Sequence, residues 1–370
     1  MIFDTASLKD RSSLYRTVRR YFDDRGYLEA DTPVLTPSPI PESHIALFRT
    51  ESVRPGECAS DFFLVPSPEV WLKLLLAEGA PSLYQIAPCF RNGEQADRWH
   101  RPEFRMLEWY AVDASAADNI AVMQDVLDAC VATVRPEAPQ DVSGRIRVIT
   151  MEEAFRDFAG FSLEADLRNA GWPDAAAAGS EEKTRAAAET AVAEKLASRL
   201  RERGLPDGGY GSAWPAADAF RERETADDLF HRLFLTLVED RLPAERPLVL
   251  TDWPSLVPTL ARTVPGTPWA ERWELYIRGV EVANCYGEET DAARLAAYWL
   301  EERRRLKNCG GESAAIAAAA DGSDWPAAIA AGLPSCSGAA VGLDRLLALI
   351  RGERGLEGLD LFSKRGMMRR

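Results

Sequence analysis

The chain has 370 residues, of which 46% are apolar, and this is enough for one large domain or two ordinary ones. Its formal net charge of −14 and the lack of a long basic stripe argue against a protein that grips nucleic acid through phosphates. The basic run Arg303-Arg304-Arg305 directly follows Glu301-Glu302, so it predicts a solvated mixed-charge helix face, with a local patch for a partner as the alternative.

The six cysteines form no CxxC pair, and only three histidines occur in the chain. The sequence therefore predicts neither a disulfide framework nor a zinc site. The N-terminus lacks a basic segment followed by an apolar one, and no apolar run approaches the roughly 20 residues that a membrane span needs. We expect a cytoplasmic protein that does not enter a membrane.

The first predicted element is an amphipathic helix at residues 8–26, with Leu14, Val18, Tyr21 and Phe22 on one stripe. A Pro-rich extended stretch follows at residues 32–37, and a helix is predicted at about residues 68–77. No internal repeat is present.

Residues 90–110 mix arginines, a histidine, aromatic residues and carboxylates in two extended runs joined by a polar loop. Phe104, Met106, Glu108 and Tyr110 occupy alternate positions, so a strand would place an aromatic ring, a carboxylate and a phenol on one face. This pattern is typical of an ATP-activating site. A satisfied polar pair in an ordinary sheet is the alternative interpretation.

Residues 165–225 are Ala-rich and charged, and they include a predicted helix from Ser180 to about Arg203. We interpret this region as a peripheral helical insertion. Strands are predicted again at residues 247–250 and from Trp273, and residues 310–323 are predicted to be a flexible loop.

Residues 272–284 predict a hairpin whose two-residue turn is Arg278-Gly279. That register places Glu281 opposite Tyr276 and diagonally beside Glu274. Two carboxylates held this close repel each other unless a cation lies between them, and Mg²⁺ carrying ATP oxygens suits such a pair. The alternative is a pair of solvent-facing glutamates that protect an edge strand.

Residues 336–350 contain small residues that lead into a predicted helix. Gly338, Ala339, Ala340 and Gly342 allow a backbone to approach a ligand closely, and Arg345 can present its guanidinium to phosphate. An ordinary helix start with solvated charges is the alternative.

In this order, the segments resemble the class II aminoacyl-tRNA synthetase catalytic domain, with motif 1 around residues 26–33, motif 2 at 90–110 and motif 3 at 338–349. Ser67-Pro68-Glu69 and the stretch from Glu281 to Glu288 resemble the lysyl branch. The resemblance implies an α+β fold with an antiparallel sheet flanked by helices. It also implies one catalytic domain over residues 1–370, with an insertion at about 165–225 and no anticodon-binding domain.

More narrowly, the chain is similar to the EpmA (PoxA or GenX) family, the free-standing lysyl-tRNA synthetase paralogues that attach lysine, preferably beta-lysine, to a lysine of elongation factor P. Motif 1 begins almost at the N-terminus, and Ala340 stands where lysyl-tRNA synthetases have glycine. The resemblance implies ATP and Mg²⁺ as cofactors, elongation factor P as the acceptor, and a homodimer formed through motif 1. Transfer to tRNA is not expected.

The resemblance also implies roles for individual residues. The ATP-binding residues are Arg91 at the α-phosphate, His100 and Arg345 at the outer phosphates, Phe104 stacked on adenine, and Glu94, which takes the adenine contact because Gly93 falls at the family's glutamate position. Arg91 and Arg345 are also the catalytic residues, and Glu274 and Glu281 bind the metal. The substrate-binding residues are Glu69 at the amine near the carboxylate, Glu108, Tyr110 and Glu288 at the side-chain ammonium, Asn284 at the carboxylate, and Tyr286 and Ala340 in the pocket.

One departure lies beside these residues, because Cys285 stands where the family has glycine. Two other function classes stay open. The first is a ligase that makes an aminoacyl-adenylate for another acceptor, such as a carrier protein, a small amine or tRNA. The second is a non-catalytic synthetase-like binding protein. The presence of both phosphate arginines and both metal carboxylates favours an enzyme.

Overall fold

The computed structural model describes residues 5–56, 58–93, 97–172, 182–207 and 224–359. In chain order, its strands are β1 (Leu28–Glu29), β2 (Leu35–Thr36), β3 (Arg49–Ser52), β4 (Ser60–Leu64), β5 (Leu83–Phe90), β6 (Glu103–Val112), β7 (Arg147–Thr150), β8 (Leu248–Pro254), β9 (Trp269–Ile277), β10 (Val280–Gly287) and β11 (Cys336–Gly342). Its α-helices are α1 (Thr5–Asp23), α2 (Glu69–Ala77), α3 (Asp118–Val134), α4 (Gln140–Ser143), α5 (Met151–Ala154), α6 (Leu163–Asn169), α7 (Glu182–Arg201), α8 (Ala226–Leu237), α9 (Ala292–Cys309), α10 (Gly311–Ala319), α11 (Trp325–Gly332) and α12 (Leu343–Arg351).

The central element is an eight-stranded sheet in the order β1-β5-β6-β11-β10-β9-β8-β7, and β2, β4 and β3 form a small second sheet. The inner pairs of the central sheet are antiparallel, whereas the β1–β5 and β7–β8 pairs at its two edges are parallel. The predicted α+β class with a helix-flanked antiparallel sheet is therefore confirmed. Both predicted hairpins are present, as β5–β6 and as β9–β10.

One face of the central sheet packs against α1, α3 and α12 in a large apolar cluster. The stripe predicted for the first helix is buried there, because Leu14, Val18 and Phe22 are fully covered. Leu107 and Trp109 reach the same cluster from β6, as their alternation with the polar residues of that strand predicts. This face provides the main core, and the opposite face carries the polar residues.

Helix α7, from the predicted insertion, and helix α8, which follows the insertion, pack on that opposite face beside β8 and β9. Leu196 of α7 and Phe230 and Phe234 of α8 share an apolar cluster with Leu248 and Leu250 of β8. The predicted helix from Ser180 to about Arg203 corresponds to α7, and its expected start at Ser180 lies outside the described residues.

The prediction of a flexible loop at residues 310–323 is wrong. These residues form α10 followed by a short 3-10 turn, and Ile316 and Ala317 are buried. The alanine-rich sequence favours a helix, and the left-handed φ angles of Gly310 and Gly311, +72° and +54°, separate α10 from α9. Two glycines that begin a new helix resemble a loop when only composition is considered.

The six cysteines are free thiols in this structure. Cys58 and Cys309 are exposed, whereas Cys89, Cys130, Cys285 and Cys336 are buried in β5, α3, β10 and β11. No helix in the described part of the chain has both the length and the apolar character needed to cross a bilayer.

Candidate active site

Polar side chains form two rows across the face of the central sheet opposite the main core. Strand register places Glu108, Ala340, Asn284 and Glu274 side by side across β6, β11, β10 and β9. The adjacent row contains Tyr110, Gly338, Tyr286 and Arg272. Because residues two apart on a strand share a face, most of the predicted site residues lie on one surface.

A β-bulge in β10 makes this arrangement fit the sequence. Glu281 pairs with Tyr276, as the predicted turn requires, but the register then shifts so that Asn284 pairs with Glu274. Glu281 and Asn284 are three residues apart and would lie on opposite faces of a regular strand. The bulge brings both of them onto the polar face.

A cleft on this face is lined by residues predicted to bind ATP. Arg91, His100, Phe104 and Arg345 surround it, together with Glu281 and Asn284. The guanidinium carbon of Arg91 lies 5.4 Å from the centre of the Phe104 ring. We name the cleft that Arg91, His100, Phe104 and Arg345 surround the cationic cleft. It combines positive charge with an aromatic surface, which are the features that a nucleotide polyphosphate requires.

Backbone carbonyls orient the Arg345 side chain. Arg345 Nε donates to the carbonyl oxygen of Trp99 at 3.1 Å, and one terminal nitrogen donates to the carbonyl oxygen of Glu281 at 3.0 Å. His100 Nδ1 lies 2.7 Å from Asp97 Oδ2. Neutral carbonyls fix the guanidinium without cancelling its charge, so Arg345 stays available to an anion. Glu94, the predicted adenine contact, lies outside the described residues.

Glu108 lies at the centre of a second group of residues, beside the cleft. Its side chain accepts hydrogen bonds from Ser67 Oγ at 2.6 Å and from the Tyr110 hydroxyl at 3.3 Å. The residue is only 2% exposed. Burial, followed by the charge of Glu69, raises the pKa of Glu108 to about 8.

A lysine that the sequence analysis did not consider lies in the same group. Lys73 Nζ is 2.5 Å from Glu69 Oε1 and 2.6 Å from Glu288 Oε2, and the lysine is 2% exposed. Burial disfavours its charge, but the two carboxylates outweigh burial and hold the pKa of Lys73 above its ordinary value. We name Glu69, Lys73, Glu108, Tyr110 and Glu288 the acidic pocket.

The sequence contains a signal for Lys73. Glu69 and Lys73 are four residues apart on α2, so they share a helix face and can form an ion pair. The intervening residues Val70 and Leu72 are buried, which marks α2 as a core helix where an unpaired lysine would be costly. The other partner, Glu288, directly follows β10, is distant in sequence and could not be found in this way.

The two predicted metal carboxylates lie close together but differ in their contacts. Glu274 is held by Arg272 at 2.6 Å and by the Tyr276 hydroxyl at 2.7 Å. Burial, followed by the charge of Glu274, raises the pKa of Glu281 to about 7. Carboxylate oxygens are the donors that Mg²⁺ prefers, and a cation there would relieve this repulsion, so the pair fits the ion. No group of three or more potential ligand side chains occurs among the described residues.

Glu42 is a further acidic residue that the sequence analysis missed. Burial and then the charge of Glu69 raise its pKa to about 7, whereas Arg91 acts in the opposite direction. The next residue, Ser43, donates its backbone N–H to Glu302 Oε2 at 2.7 Å, and this bond fixes the segment near α9. No local pattern marks Glu42, because it lies in an irregular segment between β2 and β3.

Cys285, the departure from the family glycine, points away from the polar face. Its Sγ lies 3.3 Å from Ser337 Oγ, and Asn119 Nδ2 donates to that hydroxyl at 3.0 Å. Cys285 is fully buried in the main core. Its side chain therefore does not enter the pocket that Asn284 and Tyr286 face.

Gly338 is required by the packing of the acidic pocket. A Cβ atom at this position would lie 2.3 Å from Tyr110 Cε1 and 2.5 Å from Glu288 Oε1. Both distances are shorter than any stable contact, and the neighbours are confined side chains. The glycine leaves the space in which the phenol and the carboxylate lie.

The comparisons with known proteins show the family to which the chain belongs. A model of the family described as tRNA synthetases class II (D, K and N) matches residues 4–366. The elongation factor P–(R)-beta-lysine ligase of Vibrio cholerae is 31% identical over 363 residues, which cover 96% of this chain and 95% of the relative. The chain belongs to the class II tRNA synthetase family, in its elongation factor P ligase branch. The proteins of the same name from Proteus mirabilis, at 31% identity over 96% of this chain and 94% of the relative, and Mannheimia succiniciproducens, at 30% over 92% and 90%, extend the match.

Membership of this ligase branch confirms the family, the fold and the class of enzyme that the sequence predicted. In the class II synthetase fold of this chain, the segment resembling motif 2 is the β5–β6 hairpin, and the segment resembling motif 3 is β11 with α12. These elements bring Arg91 and Arg345 to the same cleft. The roles of individual residues stay predictions.

Proposed function

We propose that this ligase activates beta-lysine or lysine with ATP as an aminoacyl-adenylate and transfers it to a lysine side chain of elongation factor P. One observation carries the proposal: the cationic cleft and the acidic pocket adjoin on a single sheet face. A polyphosphate suits the first, and an amino acid with two ammonium groups suits the second. The relatives are named elongation factor P–(R)-beta-lysine ligases, and these names supply the acceptor and the amino acid of the proposal.

ATP occupies the cationic cleft in this proposal. Arg91 holds the α-phosphate, His100 and Arg345 hold the outer phosphates, and Phe104 stacks on adenine. Glu94 contacts adenine. The carbonyl contacts of Arg345 keep its guanidinium in place before ATP arrives, so little ordering is needed on binding.

Glu274 and Glu281 hold Mg²⁺ in this proposal. The bound ion supplies charge neutralisation at the phosphates. Arg272 and the Tyr276 hydroxyl orient Glu274, and the Glu281 side chain makes no hydrogen bond within the described part of the chain. Glu281 is therefore the carboxylate whose surroundings an ion would change most.

The amino acid occupies the acidic pocket and the adjoining row of residues. Glu69 contacts the amine near the carboxylate, and Glu108, Tyr110 and Glu288 surround the side-chain ammonium. Asn284 holds the carboxylate, because it lines the cationic cleft and lies in the same row as Ala340 and Glu108. Tyr286 and Ala340 form the walls between the cationic cleft and the acidic pocket.

The chemistry proceeds in two displacement steps. A carboxylate oxygen of the amino acid attacks the α-phosphorus, the bond to the β-phosphate oxygen breaks, and pyrophosphate leaves. The neutral amine of the acceptor lysine then attacks the acyl carbon, AMP leaves with the bonding electron pair, and the new amide loses a proton. Arg91 and Arg345 act by position and charge, so no protein nucleophile is needed.

The same proposal includes the domain organisation. Residues 1–370 form one catalytic domain, with the helices around residues 165–225 as an insertion. The shared apolar cluster between α7, α8 and β8 supports a single unit.

The test is the intact mass of elongation factor P from the same organism after incubation with the enzyme, ATP and Mg²⁺. Separate reactions contain (R)-beta-lysine or alpha-lysine. A gain of one lysyl unit supports the proposal, and the faster reaction identifies the preferred isomer. Lysine-dependent pyrophosphate exchange without any mass gain would instead favour an adenylate ligase for another acceptor.

Two variants make the test specific for the cationic cleft. Arg91→Gln is expected to lower the rate at least about 100-fold, because a charge at the α-phosphate is lost. Arg156→Gln is the matched control, since the Arg156 side chain is 64% exposed and forms its ion pair with Glu152 on the protein surface. Neither exchange nor mass gain with either isomer would overturn the proposed function.

A further inference from the structure

Lys73 occupies the place where an acidic pocket for an ammonium group would be expected to be open. Its Nζ lies between Glu69 Oε1 and Glu288 Oε2, within 2.6 Å of both. The other oxygen of Glu288 lies against Gly338, where a Cβ atom would be 2.5 Å away. Lys73 thus contacts one oxygen of each carboxylate, Glu69 and Glu288, and leaves the second oxygen of each for a further partner.

A purely structural role does not explain this lysine well. Lys73 lies on α2 among buried apolar neighbours, and an apolar side chain there would avoid the cost of burying an ammonium group. The ion pairs recover that cost, but they stabilise a fold little compared with apolar packing. The position of the lysine is better explained by what it does to the carboxylates.

The charges of the pocket indicate how Lys73 affects the carboxylates. Glu69, Glu108 and Glu288 carry three negative charges when all are ionised, and Lys73 carries one positive charge. Two negative charges remain, which matches the two ammonium groups of lysine or beta-lysine. Without Lys73, the carboxylates would repel one another in a buried site, and protons would replace the missing cation.

We propose that Lys73 is a positioning residue that holds Glu69 and Glu288 ionised and oriented, so that their remaining oxygens receive the ammonium groups of the amino acid. This inference rests on the proposed function, because it assigns Lys73 to the amino-acid subsite of that reaction. Lys73 does not contact the reacting atoms. It sets the charge of the pocket that selects the substrate.

The surroundings of Glu288 are consistent with this role. Burial raises the pKa of Glu288 to about 7, and Lys73 is the strongest influence that lowers it. Removing the ammonium therefore raises that pKa further, so a larger fraction of Glu288 is protonated at neutral pH. The other charged or titratable groups that interact with Lys73 or Glu288 are Glu42, Glu69, Glu108, Tyr110, Arg262, Cys285 and Cys336.

The experiment is lysine-dependent pyrophosphate exchange by Lys73→Gln and Lys73→Met across pH 6 to 9.5, at saturating ATP. We expect kcat/KM for lysine to fall at least about tenfold at pH 7, because each unit of pKa corresponds to a tenfold change in ionisation. The deficit should narrow as pH rises and the carboxylates ionise. KM for ATP should stay within about twofold of the wild-type value, since the cationic cleft keeps its residues.

Gln is included because its amide can donate to both carboxylates and preserve the fold without supplying charge. Lys195→Met is the matched control, because Lys195 is a partly exposed lysine whose ion pair with Asp166 is 3.7 Å long. A neutral variant with the wild-type pH profile, or an equal rise in KM for ATP and lysine, would overturn the inference. Absence of lysine-dependent exchange in the wild type would instead overturn the proposed function and, with it, the assignment of Lys73.

Discussion

Glu108 holds its proton at neutral pH, because burial and the charge of Glu69 raise its pKa to about 8. The proposed substrate presents an ammonium group to this carboxyl. A protonated carboxyl attracts an ammonium far less than a carboxylate does, so binding must drive the proton out. Recognition of the amino acid and deprotonation of Glu108 are therefore linked.

This linkage predicts that lysine binds more tightly as pH rises from 6 towards 8, and that affinity levels off above the pKa of Glu108. Below that pKa, binding should release a proton to the buffer. Calorimetric titrations in two buffers with different ionisation enthalpies measure the released proton directly. An affinity that is independent of pH, without proton release, would contradict the protonated state of Glu108.

A second prediction concerns Glu108→Gln. This variant should bind lysine about 10 to 100 times more weakly while ATP affinity is kept, because a charge-assisted hydrogen bond worth about 1.5–3 kcal/mol is lost from one end of the pocket. It should also remove most of the proton release. Glu103→Gln, in the same strand but exposed, is the matched control. Unchanged lysine dependence in Glu108→Gln would refute the pocket.

The sequence predicted which residues form this site better than it predicted their protonation states. Alternation in β6 identified the face of Glu108 and Tyr110 correctly, because strand geometry is local. The spacing of Glu69 and Lys73 on α2 is a local signal, but the contact of Lys73 with Glu288, just past β10, joins distant segments. Contacts between such distant segments depend on the folded sheet, so no local pattern contains them.

At the scale of elements, β10 and β11 separate two functions on the two faces of one sheet. Gly338 faces the acidic pocket, and Gly338→Ala should lower kcat/KM for lysine about tenfold to a hundredfold, because the added methyl group overlaps Tyr110 and Glu288. Pyrophosphate exchange at varied lysine concentration measures this. A variant with normal KM for lysine would show that the pocket lies elsewhere.

Cys285, one strand away, should behave in the opposite way. Cys285→Gly removes a side chain that packs against Asn119 and Ser337 in the core, and it adds a flexible residue to a strand. We expect a loss of about 1–3 kcal/mol in the free energy of unfolding, with the choice between lysine and beta-lysine unchanged. Denaturant unfolding and competition between the two amino acids measure these effects. A changed preference would mean that Cys285 reaches the substrate.

The sequence predicted elements that have a clear local signal, but it did not predict an irregularity that depends on how two strands pair. The β9–β10 turn was found at Arg278-Gly279, and both residues adopt the left-handed φ angles, +54° and +73°, that a tight hairpin needs. Arg278 tolerates this conformation while its guanidinium binds Asp141 at 2.8 and 2.9 Å. The bulge after Glu281 has no such signal, because it follows from the register of β9 against β10.

At the scale of the whole molecule, the insertion helices and the active site share one face of the sheet. His44 Nε2 lies 3.8 Å from Asp227 Oδ2, so α8 contacts the segment that carries Glu42. His231, also on α8, pairs with the same carboxylate at 2.9 Å. Helix α8, which directly follows the predicted insertion, therefore contacts the segment that carries Glu42, and the peripheral place of residues 165–225 stays a prediction.

We propose that the enzyme is a homodimer formed around the segment that resembles motif 1. β1 is an edge strand of the central sheet, and Leu28 and Leu35 are 54% and 44% exposed. Light scattering during size-exclusion chromatography should give twice the chain mass for the wild type and a lower mass for Leu28→Glu. Leu300→Glu, at a more exposed leucine on α9, should stay dimeric. A monomeric wild type would refute the dimer.

Because two cysteines are exposed and four are buried, the number of thiols that react with a reagent reports how far the protein has unfolded. A reagent that adds a fixed mass to each accessible thiol should modify Cys58 and Cys309 in the native protein and all six cysteines in the denatured chain. Cys89, Cys285 and Cys336 lie in three different strands, and Cys130 lies in α3. The mass spectrum of a partly denatured sample therefore distinguishes a sheet that opens at once, with only two and six labels, from one that opens strand by strand.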